Sequence, residues 1–265
     1  MAYPRATAEQ IAFFDAHGWL VVEDAIPQTD LDELEHYCDL ILDDKDKLAF
    51  DWAWDEKEKR EERSFRIVQS SPSFVWKEAK DAAYKKWLVE FGRSLTGLEL
   101  DFWYDQFLGK PPGKSVPTYW HQDEGYWGRN LRNKGATCWI PLIDVDATNG
   151  CMHFIDGGHK GEVLSHHAVE GMASDLLTCD PAGETIVCPI KRGSVTFHHS
   201  NTPHMTPANL SQNWRKAVSN HMQAKGAGGE GDHYPWKFYV NQRTGEKIVP
   251  KTRADGVPEE LVKRN

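Results

Sequence analysis

The sequence predicts a mainly β fold, an antiparallel sandwich or barrel, with helices along one flank. From Leu98 onward, short apolar runs alternate with turn residues, a pattern typical of such folds. Residues 1–97 instead place apolar side chains at helical spacing. The chain has 265 residues, 40% of them apolar and 27% charged, as in globular domains. We therefore expect one domain, with a helical flank (1–97), a β core (98–225) and a C-terminal loop or tail (226–265).

The helical flank has recognisable starts and stops. Thr7 and Gln10 have capping-box spacing, and Gly18 supplies a stop, so a helix is expected between them. The next elements predicted along the chain are a strand at Trp19–Val22, a helix starting near Asp30 and a third helix from about Ser73 to Leu95.

Seven strands are expected in the β region. They are Leu98–Leu108, Thr118–Trp120, Ala136–Val145, Cys151–Ile155, Glu184–Ile190, Ser194–His199 and Trp214–Met222. Asn149-Gly150 and the Lys191–Gly193 turn are each expected to close a hairpin between neighbouring strands.

Charge and cysteine content exclude several classes of protein. Acidic residues outnumber Lys and Arg by 40 to 31 without long charged blocks, so no nucleic-acid or anionic-membrane partner is expected. No signal peptide or membrane-spanning run is present, and the predicted location is cytoplasmic. The five widely spaced cysteines indicate neither a disulfide framework nor a zinc site, and we expect them to be buried.

A metal site is suggested by the residues around His121. Asp123 lies two positions after His121, and on a strand that spacing points both side chains to one face. His204 could reach across the barrel and complete two imidazoles and one carboxylate, a set that suits Fe(II). Arg215 follows eleven residues later and could form a bidentate pair with a dicarboxylate. A surface strand pair and an ordinary strand arginine are the alternatives.

Several motifs occur together in one order. They are KPPGK (Lys110–Lys114), HQD (His121–Asp123), CWIPL, NGC and GGHKG within Cys138–Gly161, and HxTxxNxSxxxRxA (His204–Ala217). In these motifs the sequence resembles the phytanoyl-CoA dioxygenase family of Fe(II)/2-oxoglutarate oxygenases. The resemblance implies a double-stranded β-helix (jelly-roll, cupin-like) core. It also implies an enzyme that uses Fe(II) as cofactor, with 2-oxoglutarate and molecular oxygen as cosubstrates.

The resemblance also implies roles for individual residues. His121, Asp123 and His204 would be the iron ligands. Arg215 would hold the distal carboxylate of 2-oxoglutarate with help from Thr206, while Trp139 and Gln106 would line the cosubstrate pocket. Of the neighbouring His198 and His199, alternation along a strand allows at most one to face inward, in a supporting or core role.

The function implied is hydroxylation of a small organic substrate, with 2-oxoglutarate decarboxylated to succinate. The retained carboxylate of Asp123 argues against halogenation, since halogenating relatives carry a small residue there. Oxidative cyclisation, desaturation or epimerisation would use the same site. A cupin-like binding protein without oxygenase activity is the alternative from another class, and Arg215 and Thr206 argue against it.

The sequence leaves the substrate open. The lid candidates are Trp52–Phe65 and Lys225–Tyr239, and their composition indicates no particular ligand. A CoA thioester is suggested by the family name alone, and no feature of the sequence indicates the oligomeric state.

Overall fold

The computed structural model describes residues 2–51, 53, 55, 57–59, 65–127, 134–172, 176–226, 239–240 and 247–248. Its helices are α1 (Ala8–His17), α2 (Gln28–Asp43), α3 (Lys45–Leu48), α4 (Pro72–Val75), α5 (Lys77–Lys80), α6 (Ala83–Thr96) and α7 (Asp123–Trp127), with a 3-10 turn at Gly158–Lys160. Its strands are β1 (Trp19–Val22), β2 (Phe50–Asp51), β3 (Val68–Ser70), β4 (Leu100–Lys110), β5 (Thr118–His121), β6 (Gly135–Pro141), β7 (Met152–Ile155), β8 (His167–Ala168), β9 (Leu177–Thr178), β10 (Thr185–Cys188), β11 (Val195–His199), β12 (His204–Thr206), β13 (Arg215–Ala224), β14 (Tyr239–Val240) and β15 (Lys247–Ile248).

Two antiparallel sheets form the core. The larger sheet has the order β1-β11-β6-β13-β4-β3-β2, and the smaller one has the order β10-β7-β12-β5. A cavity lies between them and is lined by residues of both sheets. This arrangement confirms the predicted mainly β jelly-roll with flanking helices.

The helices cover the outer face of the larger sheet. Alternation along β4 sends Asp105 and Phe107 toward the helices, while Gln106 and Leu108 line the cavity. On the helix side, Phe91 of α6 stacks on Phe197 of β11 with ring centroids 5.0 Å apart. One apolar cluster therefore lies between sheet and helices, and a second joins Trp139 and Ala217 of the larger sheet to Phe154 of the smaller one.

The predicted first helix, with its capping box and its glycine stop, is confirmed. Thr7 and Gln10 form both hydrogen bonds of a capping box on α1, and Gly18 ends the helix with φ 77°. The backbone of Gly18 also contacts a distant loop, because its carbonyl accepts hydrogen bonds from Thr202 Oγ1 at 2.7 Å and from the His199 amide at 2.9 Å. The first helix is thereby tied to the segment between β11 and β12.

The single helix expected from Ser73 to Leu95 is wrong. Three helices, α4, α5 and α6, occupy this range, because Trp76 and Ala82 have extended backbone conformations. The amide of Ser73 donates to the Asp105 carboxylate at 3.1 Å, which ties α4 to β4.

Both hairpin predictions are also wrong. Asn149-Gly150 and Lys191–Gly193 are turns, but each joins strands of different sheets. The strand expected to reach Val145 ends at Pro141, whose ring nitrogen offers no donor for further pairing. An antiparallel bridge between Val145 and Ile190 joins the β6–β7 connection to the β10–β11 connection.

The remaining predictions for the whole chain have mixed outcomes. All five cysteines are free and buried, as expected. Within the described residues, no helix combines the length and the apolar character needed to cross a membrane. Of the lid candidates, most of Trp52–Phe65 and of Lys225–Tyr239 lies outside the described residues. The division into one domain with a tail remains a prediction.

Candidate active site

Three of the predicted residues meet at one end of the cavity. His121 ends β5, Asp123 begins α7 and His204 begins β12, where it pairs directly with His121. One ligand atom from each side chain lies within 4.8 Å of the others. Among the residues that the structure describes, this is the one group of three His, Cys, Asp or Glu side chains placed to hold a metal ion.

Backbone carbonyls orient both imidazoles. His121 Nδ1 lies 2.7 Å from the Tyr119 carbonyl, and His204 Nδ1 lies 2.8 Å from the Thr202 carbonyl. A carbonyl can only accept, so each Nδ1 carries the hydrogen and each Nε2 keeps its lone pair. Such a contact fixes the tautomer and ring orientation of metal-binding histidines.

Hydrogen bonding also orients the carboxylate. Thr137 Oγ1 donates to Asp123 Oδ2 at 2.5 Å and lies 2.9 Å from His221 Nδ1, while Asp123 Oδ1 faces His204 Nε2 at 3.8 Å. His198 Nε2 lies 3.4 Å from Oδ2 on the same side. One carboxylate oxygen is thus held by the protein, and the other faces the two imidazoles.

Burial keeps the imidazoles neutral, and the surrounding histidines keep the carboxylate charged. Burial lowers the pKa of His121 to about 4, and burial with the neighbouring His198 and His121 holds that of His204 well below its ordinary value. Burial alone would raise the pKa of Asp123, but the surrounding imidazoles, His221 first, hold it well below the usual range. Neutral imidazoles and an ionised carboxylate are the states that bind a metal ion.

A buried amide network holds the ligand segments together. The side chain of Gln122 donates to Asn201 Oδ1 at 2.7 Å and accepts from the Leu164 amide at 2.8 Å. Asn201 Nδ2 in turn donates to carbonyls of the GGHKG loop, at His159 and Gly161. Gln122 lies between the two predicted ligands His121 and Asp123, so this network fixes their backbone.

Two buried cations lie where a cosubstrate carboxylate is expected. Arg215 begins β13 opposite Lys110 of β4, and both side chains are fully buried. Arg215 Nη1 donates to the Leu108 carbonyl at 3.0 Å, whereas Nε and Nη2 are buried without a hydrogen-bond partner. Burial lowers the pKa of Arg215 to about 9, which leaves the guanidinium charged at neutral pH.

Lys110 orients Thr206. Its Nζ lies 2.8 Å from Thr206 Oγ1 and donates also to the carbonyls of Thr206 and Pro207, at 2.9 and 2.8 Å. Because the ammonium group only donates, the hydroxyl hydrogen of Thr206 is free to point elsewhere, and Thr206 lines the cavity. No carboxylate of the described residues pairs with Lys110 or Arg215.

The cavity connects the two ends of the site. It has a volume of about 320 Å³. Trp139 and Gln106 both line it, as the sequence prediction requires, and the guanidinium carbon of Arg215 lies 5.9 Å from the Trp139 ring centroid. Six of the seven residues that the sequence singled out therefore line one cavity, and the seventh, Arg215, lies beside the Trp139 ring in its wall.

Several residues of the site were not singled out. His198 faces the cavity while His199 lies on the other side of its strand, as alternation predicts. Lys110 and Gln122 belong to recognised motifs but carried no predicted role. Thr137 and His221 lie in predicted strands with no distinguishing pattern, and Gln69 of β3 lies far from every motif.

The residues present fit an iron ion and a dicarboxylate. The donor set of two imidazoles and one carboxylate is the set typical of non-haem Fe(II) oxygenases, with the remaining positions open. The buried guanidinium of Arg215, with two N–H groups that have no partner, matches the anionic end of 2-oxoglutarate, while burial and Arg215 lower the pKa of Lys110 well below its ordinary value. The fold and site together define the class of Fe(II)/2-oxoglutarate-dependent oxygenases.

Comparisons with known proteins agree with that class. Among solved structures of this fold, EvdO2 from Micromonospora carbonacea var. aurantiaca complexed with 2-oxoglutarate has a TM-score of 0.68, with 24% identity, 88% of this chain and 97% of that chain covered. The epimerase SnoN in complex with Fe³⁺, α-ketoglutarate and nogalamycin RO has a TM-score of 0.66, with 19% identity, 91% and 94% covered. Peroxisomal phytanoyl-CoA dioxygenase of Mus musculus is 23% identical over 245 residues, covering 81% of this chain and 68% of that protein.

The phytanoyl-CoA dioxygenase (PhyH) family model matches residues 14–217. The chain belongs to this family, and the predicted class of enzyme, an Fe(II)/2-oxoglutarate-dependent dioxygenase, is confirmed.

Proposed function

We propose that this protein hydroxylates a small organic substrate while 2-oxoglutarate is decarboxylated to succinate. The observation that carries the proposal is the pairing of two features across one cavity. Two histidines and one carboxylate converge on the cavity, and the buried Arg215 guanidinium, with no acidic partner among the described residues, lies beside Trp139 in the cavity wall. A simple metal-binding barrel would not need the second feature.

In this proposal His121, Asp123 and His204 hold the iron through His121 Nε2, Asp123 Oδ1 and His204 Nε2. The backbone carbonyls of Tyr119 and Thr202 keep both imidazoles in the binding tautomer. Thr137 occupies the other carboxylate oxygen, so Asp123 offers one ligand atom and coordination positions stay open.

The distal carboxylate of 2-oxoglutarate would bind Arg215 and the Thr206 hydroxyl, with Trp139 and Gln106 at the walls of its pocket. Arg215 Nε and Nη2 form the edge of a guanidinium that can take two carboxylate oxygens at once. When bound, iron and 2-oxoglutarate supply the oxygen activation and the transfer of one oxygen atom to the substrate. The protein's part is to position these groups in a buried cavity and to limit access of water.

Retention of Asp123 favours hydroxylation over halogenation, because its carboxylate would occupy the position at which chloride binds iron in halogenating relatives. An epimerase shares the fold, and cyclisation or desaturation would need the same ligands. The products differ in mass: hydroxylation adds one oxygen, desaturation and cyclisation remove two hydrogens, and epimerisation changes no mass. Succinate release over a panel of metabolites, with mass analysis of each active compound, separates these outcomes.

Anaerobic addition of Fe(II) and 2-oxoglutarate tests the proposal directly. The expected result is a visible metal-to-ligand charge-transfer band that requires both additions. His121→Ala should abolish the band, whereas His36→Gln, which removes an exposed histidine, should retain it. A folded wild-type protein without the band would rule out the proposed function.

A further inference from the structure

Gln69 carries a buried amide with no partner. Its side chain is 0% exposed, and neither Oε1 nor Nε2 has a hydrogen-bond partner. A buried amide without partners is unfavourable, and side chains of this kind in a cavity wall are normally completed by a ligand or by water. Gln69 lines the same cavity as the metal site.

The position of Gln69 separates it from the cosubstrate residues. It lies on β3 opposite Leu108 of β4, and β4 separates β3 from β13, which carries Arg215. Two strand spacings amount to about 10 Å. Trp139 lies one strand further away, on β6. Gln69 therefore lies three strands from Trp139, beside Leu108, whose carbonyl accepts a hydrogen bond from Arg215 Nη1.

The cavity lining carries little formal charge. Of the described residues that line the whole cavity, Asp123 is the one with a formal charge. The hydroxyl of Thr118 is a second buried polar group without a partner in this cavity, and Tyr104, Tyr126 and Trp127 provide aromatic walls. A charged substrate group would find no counter-charge among these residues, whereas a neutral hydrogen-bonding group would find partners.

We propose that Gln69 is a specificity-determining residue that recognises a neutral carboxamide-like group on the substrate. An amide side chain presents a donor and an acceptor side by side, so it pairs with another group that does the same. The substrate class would be small, uncharged molecules that carry a primary amide or lactam next to an apolar portion. This inference rests on the proposed function, because it concerns the second substrate of the same site.

Matched neutral and charged probes test the proposal. Benzamide and benzoate have the same shape, and each is titrated calorimetrically into protein holding Fe(II) and saturating 2-oxoglutarate without oxygen, so that Arg215 is already occupied. We expect benzamide to bind about tenfold or more tightly than benzoate. Equal binding, tighter benzoate binding, or no benzamide binding to the wild type would overturn the proposal.

Variants at Gln69 locate the effect. Gln69→Met should weaken benzamide binding about tenfold and leave 2-oxoglutarate affinity within about twofold, since the cosubstrate contacts lie elsewhere. Gln69→Glu keeps the shape but loses the donor, and should also weaken benzamide binding. Gln223→Met is the control, because Gln223 is a buried glutamine outside the cavity lining. A preference for benzamide that survives in Gln69→Met, or a loss of 2-oxoglutarate affinity, would contradict the assigned role.

Thermal stability gives a readout that needs no ligand. Replacing an unpartnered amide by an apolar side chain should raise Tm of the metal-free protein by about 2 to 4 °C. A fall in Tm of that size would indicate a structural glutamine and overturn the proposal. The charge-transfer band in the same samples separates the two ideas: its absence defeats the proposed function, whereas its presence without benzamide recognition defeats the role of Gln69 alone.

Discussion

Arg215 is the residue that we propose binds the distal carboxylate of 2-oxoglutarate. A lysine at this position keeps the charge but cannot present two parallel donors to a carboxylate. We expect Arg215→Lys to weaken 2-oxoglutarate binding about 10- to 100-fold, as for loss of a charged hydrogen bond, and to leave Fe(II) affinity unchanged. Titration of the charge-transfer band with 2-oxoglutarate, beside Fe(II) binding alone, measures both. An equal loss of both affinities would mark Arg215 as structural.

Lys110 is the second buried cation and acts through Thr206. Lys110→Met removes the donor that orients the Thr206 hydroxyl and leaves two carbonyls unpaired. We expect KM for 2-oxoglutarate to rise about tenfold with kcat nearly kept, as for lost binding of a polar group. Lys114→Met, in the same loop but exposed, should behave as wild type. A fall in kcat with unchanged KM would contradict this positioning role.

At the level of elements, a buried ion pair joins α6 to β4. Lys85 Nζ lies 2.5 Å from Asp105 Oδ2, and Ser71 Oγ and Ser73 Oγ each donate to the same carboxylate at 2.6 Å. Both charged side chains are almost fully buried. Because Ser71 follows β3 directly, this pair also fixes the strand that carries Gln69.

Removing one member of the pair should be costly. Lys85→Met leaves Asp105 buried without its counter-charge, and we expect a loss of about 3–5 kcal/mol in the free energy of unfolding at pH 7. The exposed neighbour provides the control Lys86→Met, which should change little. Urea unfolding measures both variants, and a loss below about 1 kcal/mol would show that the pair contributes little.

The pH dependence of that loss follows from the pKa of Asp105. Burial alone would raise this pKa, but Lys85 and the two serines hold it below the ordinary value, so in the wild type the carboxylate's contribution to stability is lost as pH falls. Without Lys85, burial raises the folded-state pKa, and protonation then relieves the variant as pH falls. We therefore expect the difference between Lys85→Met and wild type to shrink from pH 7 to pH 4. A difference that stays constant would contradict this explanation.

The elements also show what sequence patterns can predict. Long strands, such as β4 and β13, were predicted within two residues of their ends because runs of ten or eleven residues between turn residues are recognisable in the sequence. The three residues of β12 were missed as a strand, since so short a run has no period. Asn149-Gly150 was predicted as a turn but placed in a hairpin, because turn chemistry is local and does not say which sheet receives the next strand.

The site was predictable to the extent that its residues lie in motifs. His121, Asp123, His204 and Arg215 have spacings that chemistry explains. Gln69 was not predictable, because a glutamine between Val68 and Ser70 looks like any polar residue of a strand until the fold places it in a cavity wall. Burial of a polar side chain is a property of the folded chain.

At the scale of the whole molecule, the end of α1 is coupled to the metal site. A Cβ at Gly18 would lie 2.3 Å from His159 Nδ1 and 2.8 Å from Thr202 Oγ1, and the Thr202 carbonyl orients His204. We expect Gly18→Ala to lower stability by at least about 1 kcal/mol and to weaken Fe(II) binding through displacement of Thr202. Thermal unfolding and metal titration measure the two effects.

Gly97 offers a matched control for that prediction. It ends α6 with φ 67°, but a Cβ there meets no atom within 4 Å. Gly97→Ala should therefore lower stability only through the unfavourable positive φ and leave Fe(II) affinity unchanged. Equal effects of the two variants on Fe(II) binding would show that the contact between Gly18 and Thr202 does not reach the metal site.

The place of β3 near the margin of the larger sheet has a consequence for how such enzymes diversify. The residues proposed to hold iron and 2-oxoglutarate lie between Gln106 and Arg215 in the sequence, whereas Gln69 lies on a peripheral strand from an earlier part of the chain. On our proposal, substitutions in that part of the chain can change the substrate preference while the residues proposed to bind iron and 2-oxoglutarate stay the same. A transplanted segment spanning β3 should therefore carry substrate preference from one family member to another.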